Sequence, residues 1–158
     1  MRFDTLLKGG HLIDPKNGRD GLFDLAITDG VVAAVDTDIP SAQANQLLDV
    51  SGLYVTPGLV DIHAHMYFST GSPGAWAGDC SVMPDGFSFR TGVTCMVDTG
   101  SAGWRNFADF RQRVLERFDT RSYAFVNICG LGLLTMDTAQ NVDDLDVDRT
   151  AACMREHA

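Results

Sequence analysis

Apolar and polar positions alternate in short runs through residues 3–56, then give way to a strand–helix–strand–helix rhythm that lasts to the end of the chain. In the first part, Asp24-Leu25-Ala26-Ile27 and Val31-Val32-Ala33-Ala34-Val35 flank Thr28-Asp29-Gly30. An Asp-Gly pair between two apolar runs predicts a hairpin, because both turn positions need positive φ. Ser51-Gly52, between Leu47-Leu48-Asp49-Val50 and Leu53-Tyr54-Val55, predicts a second one. Leu6-Leu7 and His11-Leu12-Ile13 bracket Gly9-Gly10 and read as two more short strands ending at Asp14-Pro15. Residues 1–57 therefore read as a small β-sandwich or β-sheet unit, with His11 on a surface strand.

Pro57-Gly58 marks a boundary, since Pro cannot donate to a ladder and Gly permits a sharp change of direction. The next run, Leu59-Val60-Asp61-Ile62-His63-Ala64-His65, reads as a strand. With a period of two, Val60, Ile62 and Ala64 share one face, and Asp61, His63 and His65 share the other. Residues 66–90 are rich in Gly, Ser and Pro, with Tyr67, Phe68 and Trp76 interleaved and a short helix within 81–89. Those aromatics either line a pocket or pack the loop. Residues 91–97 read as a second strand ending at Asp98. Ser101 offers an N-cap to a helix carrying Trp104, Phe107, Ala108, Val114, Leu115 and Phe118 at helical spacing. A third strand is expected over 123–129 and a final helix over 144–157, with Val147, Ala151, Met154 and Ala158 on one face. Such alternation predicts an α/β unit with a parallel sheet over 58–158.

Two imidazoles on one strand face can reach one ion, and neutral imidazole is a common ligand for zinc and similar divalent metals. His63 and His65 are thus the candidate metal ligands. Asp61, one layer deeper on the same face, either orients a histidine ring or makes an inner structural hydrogen bond. The net charge of −9, from 12 basic and 21 acidic residues, argues against nucleic acid or an anionic membrane as a general partner. Cys80, Cys95, Cys129 and Cys153 form no C-x-x-C pair. They read as free thiols of a reducing compartment. With no apolar signal-peptide core at the N-terminus and no apolar run long enough to span a bilayer, a cytoplasmic location is expected.

The run Pro57-Gly58-Leu59-Val60-Asp61-Ile62-His63-Ala64-His65 resembles the first barrel strand of the amidohydrolase superfamily. Gly92-Val93-Thr94-Cys95-Met96-Val97-Asp98-Thr99-Gly100-Ser101-Ala102-Gly103 resembles the second strand of its dihydroorotase-like amidohydrolase/deacetylase branch. Asn127-Ile128-Cys129-Gly130-Leu131-Gly132-Leu133 resembles the third. The resemblance implies a TIM-type (β/α)8 metallohydrolase barrel preceded by a small β-sandwich, whose N-terminal strands pair with strands from the far C-terminus. It implies one or two divalent ions, zinc by default, with His63 and His65 on the more buried one. The family's remaining groups, a lysine on the fourth strand, histidines on the fifth and sixth and an aspartate on the eighth, cannot be placed on these residues. No acid or base of the reaction is therefore assigned within this chain. Asp98 and Asn127, near strand ends at the barrel mouth, are candidate substrate contacts.

A complete barrel takes about 250 residues, whereas residues 58–158 have room for three strands. The sequence is accordingly expected to be the N-terminal part of a longer protein, inactive alone. The implied activity is metal-activated hydrolysis of amide or ester bonds in a small-molecule substrate. Asp98-Thr99-Gly100-Ser101-Ala102-Gly103 favours a deacetylase. The alternatives are a cyclic amidase of the dihydroorotase or hydantoinase type, and a truncated non-catalytic remnant or assembly partner.

Overall fold

A computed structural model describes residues 2–68 and 70–158. The chain divides into two compact units, Met1–Pro57 and Gly58–Ala158.

The first unit is built on β1 (Phe3–Asp14). It is followed by β2 (Arg19–Thr28), β3 (Val31–Asp36), β4 (Ala44–Asp49) and β5 (Tyr54–Val55). The strands lie in the order β3-β2-β1-β4, and β5 pairs with the later part of β1. The Asp29-Gly30 hairpin is present: β2 and β3 are antiparallel, and the two turn residues have φ of 52° and 74°. That double positive φ matches the right-handed twist of the flanking strands.

Two expected turns are something else. Gly9-Gly10 does not separate two strands. β1 is continuous, and its pairing with β2 slips between Leu7 and Gly10 where Gly9 takes φ 75°. A β-carbon on Gly9 would lie 2.7 Å from Ser51 Oγ, so the bulge needs glycine for space as well as for backbone conformation. Nor is Ser51-Gly52 a hairpin. β4 and β5 both run parallel to β1, with Leu6 opposite Leu47 and Leu12 opposite Val55. Val50 N–H bonds to Lys8 O at 3.0 Å and His11 N–H to Leu53 O at 2.9 Å, so the chain steps around the bulge and resumes the same direction. The five strands make one sheet. A second sheet that would complete a sandwich is not found among the described residues.

Leu6, Ala26, Ile39 and Ala44 form the core of this unit. Beside them Asp24, 2 % exposed, accepts hydrogen bonds from Gly9 N–H and Ile39 N–H, each at 2.8 Å, and from Lys8 Nζ at 2.6 Å. Burial alone would raise its pKa. The Lys8 ammonium and the two backbone donors outweigh that and hold the carboxyl below its usual value.

The second unit carries β6 (Leu59–Ala64), β7 (Val93–Asp98) and β8 (Arg121–Ala124), parallel and in that order. Between them lie α1 (Pro84–Thr91) and α2 (Phe107–Phe110), which widens into a π-turn over Arg111–Leu115. α3 (Met136–Ala139) and α4 (Val147–Glu156) follow. Met66, Tyr67, Met96, Phe107, Phe110 and Val114 fill the core.

The expected helix over residues 104–118 starts late. Gly103 passes so close to the Cys129 and Gly130 carbonyls that a β-carbon there would collide with Cys129 O. Arg105 N–H and Asn127 N–H then bond to Gly130 O and Ala102 O. Residues 101–106 are thereby tied to the neighbouring segment, and Asn106, not Ser101, precedes the helix. The third strand is Arg121–Ala124 and not 123–129: beyond it the chain makes isolated bridges, Gly103 with Asn127 and Cys129 with Leu145. α4 is rotated from its expected face: Cys153 is buried, while Val147 and Met154 are 69 % and 55 % exposed. Val60 and Ile62, on the apolar face of β6, are also exposed. No helix among the described residues is long and apolar enough to cross a membrane.

Removing the Asp24 carboxylate leaves the buried Ile39 N–H and the part-buried Gly9 N–H without an acceptor. Asp24→Ala is expected to cost about 2–3 kcal/mol in denaturant unfolding. Because the folded-state pKa of Asp24 is depressed, its stabilisation is full above the ordinary carboxylate range and is lost as pH falls through the folded value. Asp24→Asn should therefore flatten the acid limb of the stability profile of this unit.

Candidate metal centre

β6 delivers His63 within its last turn of pleat and His65 one residue past its end. Both side chains leave the same face. Their ring centres are 5.6 Å apart with planes at 78°. With Zn–N bonds of about 2.0–2.1 Å, two histidines on one ion have ring centres roughly 5–6 Å apart. The pair fits such a group on its spacing and its donor chemistry. Among the described residues no third His, Cys, Asp or Glu joins them.

The two rings differ in surroundings. His63 is exposed, whereas His65 is half-buried. His65 Nδ1 lies 2.9 Å from Ser101 Oγ, its ring is tilted against Trp76 with centres 5.1 Å apart, and Thr99 Oγ1 stands 3.5 Å from Nε2. Burial lowers the pKa of His65 and the His63 ring adds to this, while the Asp98 carboxylate opposes them without reversing the sign. The net effect favours the neutral ring, the form that binds metals.

Asp61 braces the backbone of the site. Its Oδ1 accepts the His63 N–H at 3.0 Å, a local bond within the strand, while Ser101 takes the ring-contacting position beside His65. Asp98 is fully buried. Its Oδ2 accepts the Met66 N–H and its Oδ1 the Ser101 N–H, both at 2.7 Å. Burial pushes its pKa up, and the bonds from Met66 and Ser101 only partly offset that. Asn127 is likewise engaged by backbone: Nδ2 donates to Gly100 O and Oδ1 accepts from Cys129 N–H, each at 2.9 Å. The structure thus brings His63 and His65 together, and sets Asp98 and Asn127 to fastening the strand ends.

Of the loop aromatics, Tyr67 is buried against Phe110 and donates its hydroxyl to Asp109 at 2.6 Å. Phe68 packs on Phe118. Trp76 alone stands at the histidines, and it is half-exposed. The sequence reading missed Ser101 as a partner of His65. A signal was present in Asp98-Thr99-Gly100-Ser101: an Asp three residues before a Ser, with Gly between, suits a turn in which the carboxylate caps the later N–H. Gly100 indeed takes φ 83°.

No family model matches the chain. It is 33 % identical over 135 residues to a deacetylase of Agrobacterium fabrum, covering 82 % of this chain and 31 % of that protein. It is 34 % identical over 142 residues to a dihydroorotase of Citrifermentans bemidjiense, covering 84 % and 30 %. A solved dihydroorotase structure aligns with a TM-score of 0.78 at 29 % identity over 96 % of this chain and 39 % of that one. The chain belongs to the amidohydrolase superfamily and matches the N-terminal portion of its dihydroorotase-like members. It spans about a third of the length of these two curated relatives.

The unequal burial of these groups predicts unequal mutational costs. Asp98→Ala, which orphans two buried N–H groups, should lose about 2–4 kcal/mol of stability. His63→Ala, at an exposed position, should stay within about 0.5 kcal/mol. Thermal or denaturant unfolding of the two variants checks both.

Proposed function

We propose that these residues form the metal-binding end of a metal-dependent hydrolase that cleaves amide or ester bonds of small molecules. The observation that carries this is the pair His63 and His65 at the end of a parallel strand, with ring centres 5.6 Å apart, spaced for one ion. Catalytic sites in barrels of this kind gather at the C-terminal ends of the strands, where both histidines lie. Catalytic zinc commonly takes three protein ligands, so other parts of the complete protein supply the rest. When bound, the ion supplies Lewis-acid activation of water and of the scissile carbonyl. The exposed His63 and the half-buried His65 would hold the ion. Trp76 packs its ring against His65 on one flank. Zinc is the ion we assign by default.

Deacetylation of a small acyl compound is the preferred reaction, supported by the relative named deacetylase and by the Asp98-Thr99-Gly100-Ser101-Ala102-Gly103 run. Ring opening of a cyclic amide is the second reading, favoured by the relatives named dihydroorotase and by the likeness to a dihydroorotase structure. The net charge of −9 disfavours nucleic acid as a substrate.

In the complete protein, loss of a group that merely orients a metal ligand typically costs 10–100-fold, so loss of a ligand should cost more than about 100-fold. His63→Ala and His65→Ala are each expected to lower kcat/KM by at least that much. Chelation should abolish activity and added Zn2+ should restore it. Assay on N-acetyl amino acids and on dihydroorotate separates the two reactions. Full activity in both histidine variants would overturn the proposal.

A further inference from the structure

We propose that Trp76 is a specificity-determining residue: its indole forms the wall against which a flat, apolar group of the substrate packs beside the metal-bound atoms. The inference rests on the metal reading above and adds the class of substituent that the site selects.

The loop after β6 runs small-large-small at Ala75-Trp76-Ala77 and turns the small residues inward. Ala75 and Ala77 are 6 % and 0 % exposed, whereas Trp76 between them is 50 % exposed. Tyr67 and Phe68, the other aromatics of this stretch, pack against Phe110 and Phe118. The indole stays out because the backbone on both sides of it is fastened. Ala77 N–H bonds to Leu133 O and Cys80 N–H to Ala75 O, each at 3.1 Å, and Val82 N–H bonds to His65 O at 2.8 Å. The Thr70 and Ser81 hydroxyls donate to Ala77 O and Trp76 O. At Gly78 a β-carbon would collide with Ser72 O, so the loop packs tightly on itself just past the tryptophan.

The place of the indole follows from its neighbour. Its ring centre lies 5.1 Å from that of His65 with planes at 35°, a tilted stack on one flank of the imidazole. Ser101 Oγ occupies the Nδ1 edge of the same imidazole, 2.9 Å away. An ion on His65 at about 2.1 Å lies roughly 3 Å from the imidazole centre, hence no more than about 8 Å from the indole centre. An aromatic ring carried next to the metal-bound atoms reaches across that distance. The indole is uncharged and offers a broad apolar face, so it selects by apolar and ring–ring contact. Fastened in advance, it gives up little conformational freedom when a substrate packs on it. The substrate class is therefore an acyl compound or cyclic amide with an aromatic or other flat apolar group next to the scissile bond.

The test uses the complete protein loaded with Zn2+ and two metal-binding probes, benzohydroxamate and acetohydroxamate, with affinities read by calorimetry. The probes share a chelating group and differ in the aromatic ring, so the ratio of their affinities reports the wall and not the ion. Small apolar contacts in a pocket are each worth about 10-fold or more, and the wild type should prefer benzohydroxamate by at least that factor. Trp76→Ala, checked for folding by circular dichroism, should remove most of the preference. Trp76→Phe, which keeps a ring, should retain most of it. The wild-type ratio needs no variant to fold, and the absence of any preference there would overturn the proposal. So would an unchanged ratio in a folded Trp76→Ala variant. Equal weakening of both probes in that variant would also overturn it, because the indole would then act only through His65. His63→Ala and His65→Ala, measured alongside, separate this failure from the larger one. If both bind the probes as wild type does, the metal reading itself is wrong and the wall falls with it. If both lose the probes while the ratio ignores Trp76, only the wall falls.

Discussion

Where two parallel strands end side by side, the chain leaving each one has backbone donors with no ladder partner. In the second unit that problem is met by one side chain. Asp98 closes β7 and accepts from the N–H of Met66, just past the end of β6, and from the N–H of Ser101 in its own outgoing turn. Buried N–H groups without acceptors are costly, and a buried carboxylate without donors is costlier still. Here each satisfies the other. His65 sits between Ala64, tied to Thr99, and Met66, tied to Asp98, so its backbone has little freedom. A ligand position is useful only when it is held in advance, and this fastening holds it.

The two histidines differ for the same reason. His65 is half-buried, bounded by Ser101, Thr99 and Trp76. His63 has Asp61 beneath it, bonded to its backbone N–H, and solvent above. One ring is positioned by contacts and the other chiefly by the strand. Much of the apolar surface of this sheet is uncovered: Val60 and Ile62 on β6, and Tyr123 and Phe125 in and after β8, are all more than half exposed.

Local signals in the sequence were enough for some of this. Asp29-Gly30 sets a hairpin because its turn conformation is a property of those two residues. The period-two pattern around His63 and His65 places both rings on one face whatever lies nearby. Features that depend on distant partners were not legible. Gly9-Gly10 and Ser51-Gly52 each look like turns, yet one is a bulge and the other a step, because each accommodates the other across a parallel pairing. Ser101 looks like a helix cap until Gly103 is seen pressed against the Cys129 and Gly130 carbonyls. The apolar stripe of α4 points away from the core, and Cys153 packs instead. The bonds that Asp98 accepts from Met66 and Ser101 N–H likewise depend on where the two strands end, which no local pattern states.

The central claim is that one divalent ion sits between His63 and His65. It is tested most directly by anomalous scattering at the zinc edge from crystals of the complete protein grown with Zn2+. The account predicts a peak about 2.1 Å from Nε2 of His65 and within bonding distance of a His63 ring nitrogen. An ordered zinc peak elsewhere, with both rings free of metal, would contradict it.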